Sequence, residues 1–279
     1  MARLDHALVT RVAAVIGAGA PEMLSDGEAV DLPCPAAPDL SRVLAALDGA
    51  PVDAIGQPAE GRRKKLLVSD MDSTIVTSET LDELAAYAGL KDEIAAITRA
   101  SMNGEIDFSQ ALRARVGKLA GLEASALEAT WAATEIMPGA AQLVATMRAH
   151  GARTVLVSGG FTWFTSRVAA MLGFDAHFAN DLIVDGGRLT GTVGEPILDR
   201  DAKLSILRRE ASALGIGIDA AVTVGDGAND LAMIRAAGLG VAFHARPIVA
   251  AEARAVVRHC GLRALLFAQG FRAAEIVAS

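Results

Sequence analysis

Two aspartates with one residue between them, Asp70 and Asp72, close a short apolar run, Leu66-Leu67-Val68-Ser69. Carboxylates held that close repel each other, and a divalent metal with oxygen ligands is the natural compensation. A lone Asp-x-Asp is more often a polar turn, so its weight comes from its company. Ser158-Gly159-Gly160 ends a second apolar run, and Gly225-Asp226-Gly227-Ala228-Asn229-Asp230 ends a third. Paired glycines let the backbone approach an anion closely, and the next helix start offers amide N–H groups. Lys203 adds a cation within the first turns of a helix capped by Asp199 or Asp201. A positive charge there opposes the helix dipole at a cost of ~0.3–1 kcal/mol if exposed. A local rule broken without local gain points to function. These groups suit a phosphate and a metal.

Such groups need a scaffold that brings them together. Leu66-Leu67-Val68-Ser69, preceded by the charged cluster Arg62-Arg63-Lys64-Lys65, reads as a buried parallel strand. Strands over 154–157, 221–224 and 239–243 alternate with helices that start at Pro138, Trp163 and Asp201. This pattern predicts an α/β fold, a Rossmann-like parallel sheet with helices on both faces. Three of these four strands would then deliver their polar ends into one crevice. Residues 182–184 and 188–190, around Asp185-Gly186-Gly187, read as a hairpin.

Between the first strand and Pro138 only helical signals occur. Thr80-Leu81-Asp82-Glu83 matches a capping box with Gly89 closing its helix, and helices over 93–100, 108–118 and 125–134 follow. This predicts a helical cap insert at about 78–137, placed to act as a lid. Residues 1–60 predict a small α+β N-terminal appendage, with helices over 4–15 and 40–47 and strands over 29–32 and 52–55. A linker at 57–61 leads into the core, 61–279.

Hydrophobic content of 52% with 21% charged residues predicts a folded, globular chain of 279 residues. A net charge of −7 argues against a nucleic-acid partner, so an anionic substrate must be drawn by local groups. Cys34 and Cys260 cannot build a disulfide framework or a multi-cysteine zinc site. No apolar run approaches the ~18 residues of a membrane span. The stretch from Val12 to Ala20 could pass for a signal-peptide core, but Leu4, Leu8, Val12 and Val15 share one helical stripe. A cytoplasmic location is expected. His150 and His259, beside glycines, read as groups at helix C-termini.

One residue breaks the pattern of the helical insert. The stripe Phe108, Ala111, Leu112, Leu119 is interrupted at Arg115. A guanidinium on an inward face calls for an anion, unless the side chain snorkels outward.

In this order the motifs Asp-Met-Asp-Ser-Thr, Ser-Gly-Gly, a lysine and Gly-Asp-Gly-Ala-Asn-Asp resemble the four motifs of the haloacid dehalogenase-like phosphatases. Residues 66–270 resemble the phosphoserine phosphatase family among them, including Val76-Thr77-Ser78-Glu79-Thr80-Leu81-Asp82-Glu83 and Leu112-Arg113-Ala114-Arg115-Val116. The resemblance implies hydrolysis of phosphoserine to serine and phosphate, the last step of serine biosynthesis. Asp70 would be the nucleophile and Asp72 the general acid and base. Mg²⁺ would be held by Asp70, Asp226 and the backbone carbonyl of Asp72, with Asp230 in support. Ser158, Gly159, Gly160, Lys203 and Asn229 would bind substrate, chiefly its phosphoryl group. Arg115 would take the substrate carboxylate and Glu79 its amino group, with Met102 and Phe108 as an apolar wall. The appendage resembles a shortened regulatory-type domain, and a homodimer stays open as an assembly. A phosphotransferase or another small-molecule phosphomonoesterase is the nearest alternative. A sensor without catalysis is a more distant one, since Asp70 and Asp72 are both intact.

Overall fold

The computed structural model describes residues 4–278. The chain opens with α1 (His6–Ile16), β1 (Glu22–Ser25), β2 (Ala29–Asp31) and α2 (Leu40–Leu47). Aspartates start both helices: Asp5 accepts from the Leu8 N–H and Asp39 from the Ser41 N–H. Leu8 and Val12 of α1 meet Val43 and Leu47 of α2 in a small core. The segment 52–55 is not a strand. Its Asp53 side chain accepts from the N–H groups of Arg258, His259 and Cys260, at 2.8, 3.0 and 2.9 Å. His259 therefore lies on an anchoring turn rather than at a helix end, whereas His150 does cap a helix. Salt bridges from Arg62 to Asp31 and from Arg263 to Glu28 hold the same junction. Asp53→Ala should leave three amides without their acceptor and cost about 1–3 kcal/mol, read as a lowered thermal midpoint with unchanged active-site chemistry.

The central strand is β3 (Leu66–Ser69), buried at every position. Leu66 and Val68 face one core, with Leu207 and Met233, while Leu67 faces the other, with Met71 and Leu143. That alternation is the side-chain period of a strand covered on both sides. Four helices follow without a strand between them: α3 (Thr80–Ala86), α4 (Lys91–Met102), α5 (Phe108–Gly117) and α6 (Ser125–Ala132). The insert leaves and returns side by side, for Val76 pairs with Ile136 and the Met137 N–H donates to Ile75 O at 2.9 Å. Thr80 does not cap α3 as its sequence suggests. Glu79 occupies the N-cap position, and the Thr80 hydroxyl is drawn away to Asp72.

The alternating part continues with α7 (Ala140–Ala149), β4 (Arg153–Phe161), α8 (Thr162–Leu172), β5 (Ala176–Asn180) and the hairpin β6 (Leu182–Asp185) and β7 (Arg188–Val193). Then come α9 (Arg200–Ala213), β8 (Ala221–Gly225), α10 (Leu231–Ala236), β9 (Leu239–Phe243), α11 (Pro247–Glu252), β10 (Ala255–Val257) and α12 (Ala264–Ala268). Pro138 precedes α7 instead of opening it, because Gly139 at φ 87° makes the N-cap. The sheet is parallel and six-stranded, in the order β10-β9-β8-β3-β4-β5. The four expected strands are its centre. The edge strand β10, with three residues, was too short to leave a periodic signal. β4 also runs on through Ser158-Gly159-Gly160 to Phe161, where its register against β5 shifts between Val157 and Phe161. Such a bulge re-aims residues at the end of a strand.

Candidate active site

β3 lies between β8 and β4 in the sheet, so its carboxyl end is flanked by the ends of both. Asp70 directly follows β3, and its N–H donates to Val224 O across to β8 at 3.0 Å. Its Oδ1 accepts from the Met71 N–H at 2.8 Å and pairs with Lys203 Nζ at 2.9 Å. Among the described residues no protein donor reaches Oδ2. Asp72 is held differently. The Thr80 N–H and hydroxyl donate to its Oδ1 at 2.8 and 2.6 Å, and the Ser158 hydroxyl donates to its Oδ2 at 2.9 Å. The Gly160 N–H in turn donates to Ser158 Oγ at 2.8 Å, so the bulge in β4 fixes the serine.

Lys203 is 1% exposed, far from a solvated surface lysine. Asp199 caps α9 by accepting from the N–H groups of Asp201 and Ala202, which sets Lys203 on the first turn facing the sheet. Its ammonium bridges Asp70 Oδ1 and Asp230 Oδ1, the latter at 2.6 Å. Burial opposes that charge, but Asp230 and Asp70 outweigh it and hold the ammonium protonated. Asp70 and Asp226 are also pushed toward their protonated forms. Burial raises both carboxyls well above the usual range, helped at Asp70 by Asp230 and at Asp226 by Glu79.

Such stacked carboxylates need a cation. Oxygens of Asp70, Asp226 and Asp230 lie within 4.8 Å of one another, all buried. Among the described residues, Asp226 Oδ1 is buried without a hydrogen-bond partner, and so is Asn229 Oδ1 nearby. Hard oxygen donors at this spacing, one of them unsatisfied, fit a small divalent ion. Asp230, expected only in support, stands inside this cluster. It also accepts from the Gly227 N–H at 3.1 Å.

The helical insert covers the crevice. A Cβ added at Gly159 would sit 2.5 Å from Phe108 Cζ, and one added at Gly227 would sit 2.6 Å from Met102 Sδ. Phe108 and Met102 thus rest on two strand-end glycines, which only glycine permits at that approach. Arg115 is 4% exposed, so it does not snorkel. Nη1 donates to Thr98 Oγ1 at 2.9 Å and Nε to Ala111 O at 3.3 Å. Among the described residues it forms no ion pair, and nothing accepts from Nη2. Glu79 Oε1 accepts from the Ser73 hydroxyl at 2.7 Å. Burial first, then the charge of Asp72, pushes the Glu79 carboxyl up to about 7.

Sequence reasoning missed Ser73, Thr80 and Thr98. Ser73 carried the one recoverable hint, since it sits within the Asp-Met-Asp-Ser-Thr motif. In the fold it takes a left-handed φ of 55°, a conformation that is sparse outside glycine and clusters at functional sites. Thr80 was legible only as a cap, and nothing local marked Thr98.

Comparison with known proteins extends the geometry. Residues 67–235 match the model of the haloacid dehalogenase-like hydrolase family. The phosphoserine phosphatase of Streptomyces coelicolor is 42% identical over 235 residues, covering 84% of this chain and 57% of that protein. The chain thus spans little more than half the length of this curated relative. A solved structure of a phospho-aspartyl intermediate analogue of phosphoserine phosphatase superposes with TM-score 0.71 at 39% identity, covering 74% of this chain and 98% of the other. A substrate-bound phosphoserine phosphatase complex gives TM-score 0.71 at 39% identity, covering 73% of this chain and 97% of that one. The acidic cluster, the buried lysine and the parallel sheet agree with these matches: the chain belongs to the haloacid dehalogenase-like hydrolases.

Proposed function

We propose that this protein is a Mg²⁺-dependent phosphatase that converts O-phospho-L-serine to L-serine and phosphate, the last step of serine biosynthesis. The observation that carries the reading is Arg115, a buried cation with an open donor edge in the helices that cover Asp70 and Asp72. A phosphatase indifferent to its leaving group has no use for it. In this reading residues 78–137 are the cap, and residues 1–60 are a shortened regulatory-type domain of a cytoplasmic enzyme.

The hydrogen bonds support this chemistry. Asp70 Oδ2, free of protein donors among the described residues, supplies the electron pair that attacks phosphorus. As the bond between phosphorus and the serine oxygen breaks, that oxygen takes a proton from Asp72, giving free serine and phosphate on Asp70. Asp72 then accepts a proton from water as the water attacks phosphorus, and the bond to Asp70 breaks. Thr80 pins Asp72 Oδ1 with two hydrogen bonds, so Oδ2 is the oxygen turned toward Ser158 and the crevice. Ser158, the Gly159 amide and Lys203 would hold phosphoryl oxygens as charge spreads over them. Asp70, Asp226 and the Asp72 carbonyl would hold Mg²⁺, with Asp230 in support. Once bound, the ion supplies positive charge that offsets the carboxylates and polarises the phosphoryl group.

Phosphate release from O-phospho-L-serine, with Mg²⁺ and then with EDTA, tests this directly. Release with Mg²⁺, its loss in EDTA and its return on adding Mg²⁺ back are expected. Hydrolysis of other phosphomonoesters with none of phosphoserine would overturn the substrate. A new phosphoester formed with an added hydroxy compound would assign transfer instead of hydrolysis.

A further inference from the structure

Among the described residues, no carboxylate is in contact with Arg115. Its Nη1 donates to Thr98 Oγ1 at 2.9 Å, and Thr98 Oγ1 donates to Asp82 Oδ1 at 2.6 Å. The three residues stand on three consecutive helices, Asp82 on α3, Thr98 on α4 and Arg115 on α5, and all are buried. A guanidinium only donates, so on that contact Thr98 must accept. Its single hydroxyl proton then has two candidate acceptors, Asp82 Oδ1 and Ile94 O, the latter at 3.1 Å. The carboxylate is nearer and charged, and the Ile94 carbonyl already faces the helical N–H one turn on. The relay therefore has one polarity, from Arg115 through Thr98 to Asp82.

That arrangement solves a problem of charge and access. A direct ion pair between Asp82 and Arg115 would stabilise the buried cation, but it would fill the donor fork that a ligand needs. With one hydroxyl interposed, Asp82 still offsets the charge while the Nη2 edge stays open. We propose that Asp82 and Thr98 are positioning residues that orient the Arg115 guanidinium for a substrate carboxylate. The inference rests on reading Arg115 as the carboxylate-binding group of a phosphoserine phosphatase. Burial works against the charge of Arg115, and Asp82 is the foremost of the carboxylates that support it, ahead of Glu79 and Asp72.

The test uses the full chain, O-phospho-L-serine and p-nitrophenyl phosphate, which has no carboxylate. Thr98→Val keeps the shape of the side chain and removes both hydrogen bonds. It should raise KM for phosphoserine and lower kcat/KM roughly ten- to hundredfold, with p-nitrophenyl phosphate changed less than about twofold. Thr98→Ser restores the hydroxyl and should restore most of the loss. Asp82→Asn keeps an acceptor but not the charge, and should give an intermediate loss confined to phosphoserine. Wild-type kinetics in Thr98→Val, or equal losses on both substrates, would overturn the proposal, because a purely structural role moves both. If Thr98→Val does not fold, Asp82→Asn with Thr98→Ser carries the same comparison, and a loss on both substrates in Asp82→Asn overturns it. Failure of the underlying reading looks different: the wild type itself would hydrolyse p-nitrophenyl phosphate and leave phosphoserine untouched.

Discussion

Asp70→Asn should yield a folded protein whose turnover of phosphoserine falls by at least roughly a thousandfold. The amide nitrogen and oxygen are poor nucleophiles, and in the proposed mechanism the neighbouring carboxylates have other tasks, Asp226 holding the metal and Asp72 carrying the proton. Asp72 is committed to Thr80 and Ser158, and Asp230 to Lys203 and the Gly227 amide. The fold should tolerate the change. Asp70, Asp226 and Asp230 already crowd one another, and removing one negative charge relieves repulsion while Lys203 keeps Asp230 as its partner. Acid quenching of the wild type during turnover should trap an acid-stable, hydroxylamine-sensitive phosphate on Asp70, and the Asn variant should trap none. Undiminished turnover by the variant would remove Asp70 from the role of nucleophile.

Arg115→Ala should separate recognition from chemistry. The variant should lose kcat/KM on phosphoserine by roughly ten- to hundredfold, the worth of a charge-assisted contact of ~1.5–3 kcal/mol. Hydrolysis of p-nitrophenyl phosphate should stay near that of the wild type, since Asp70, Asp72 and Lys203 contact none of the atoms removed. The substitution also strands a counter-charge. Asp82 would keep the Thr98 hydroxyl but lose the cation beyond it, and burial already raises its carboxyl above the usual range. Some loss of stability is therefore expected, and both substrates must be assayed at a temperature where the variant is folded. Equal losses on the two substrates would assign Arg115 to holding the helical insert rather than to reading the amino acid.

The residue pattern alone specified the α/β class, the central strands, the hairpin and the candidate residues of the crevice. It could do so because those features rest on short-range rules. A buried strand needs a run of apolar residues, and a strand-end site needs its polar groups next in the chain. Asp70 directly follows β3 and Asp226 directly follows β8, while Ser158 lies in the last part of β4 and Lys203 in the first turn of α9. Arg115 announced itself as a charge on an apolar stripe.

Features that depend on partners far along the chain emerged only in the folded protein. Thr80 looks like a helix cap until Asp72, eight residues earlier, claims its hydroxyl. Residues 52–55 look like a strand until Asp53 finds three amides some two hundred positions away. Lys203 could have been a surface lysine, and only burial between Asp70 and Asp230 makes its charge part of the site. Thr98 carried no signal at all. A threonine inside a helix is ordinary, and its importance arises because three helices converge on one hydroxyl that can accept from Arg115 and donate to Asp82 at once. Local propensity fixes where elements run, but a hydrogen bond needs two groups in space, and packing alone chooses the second.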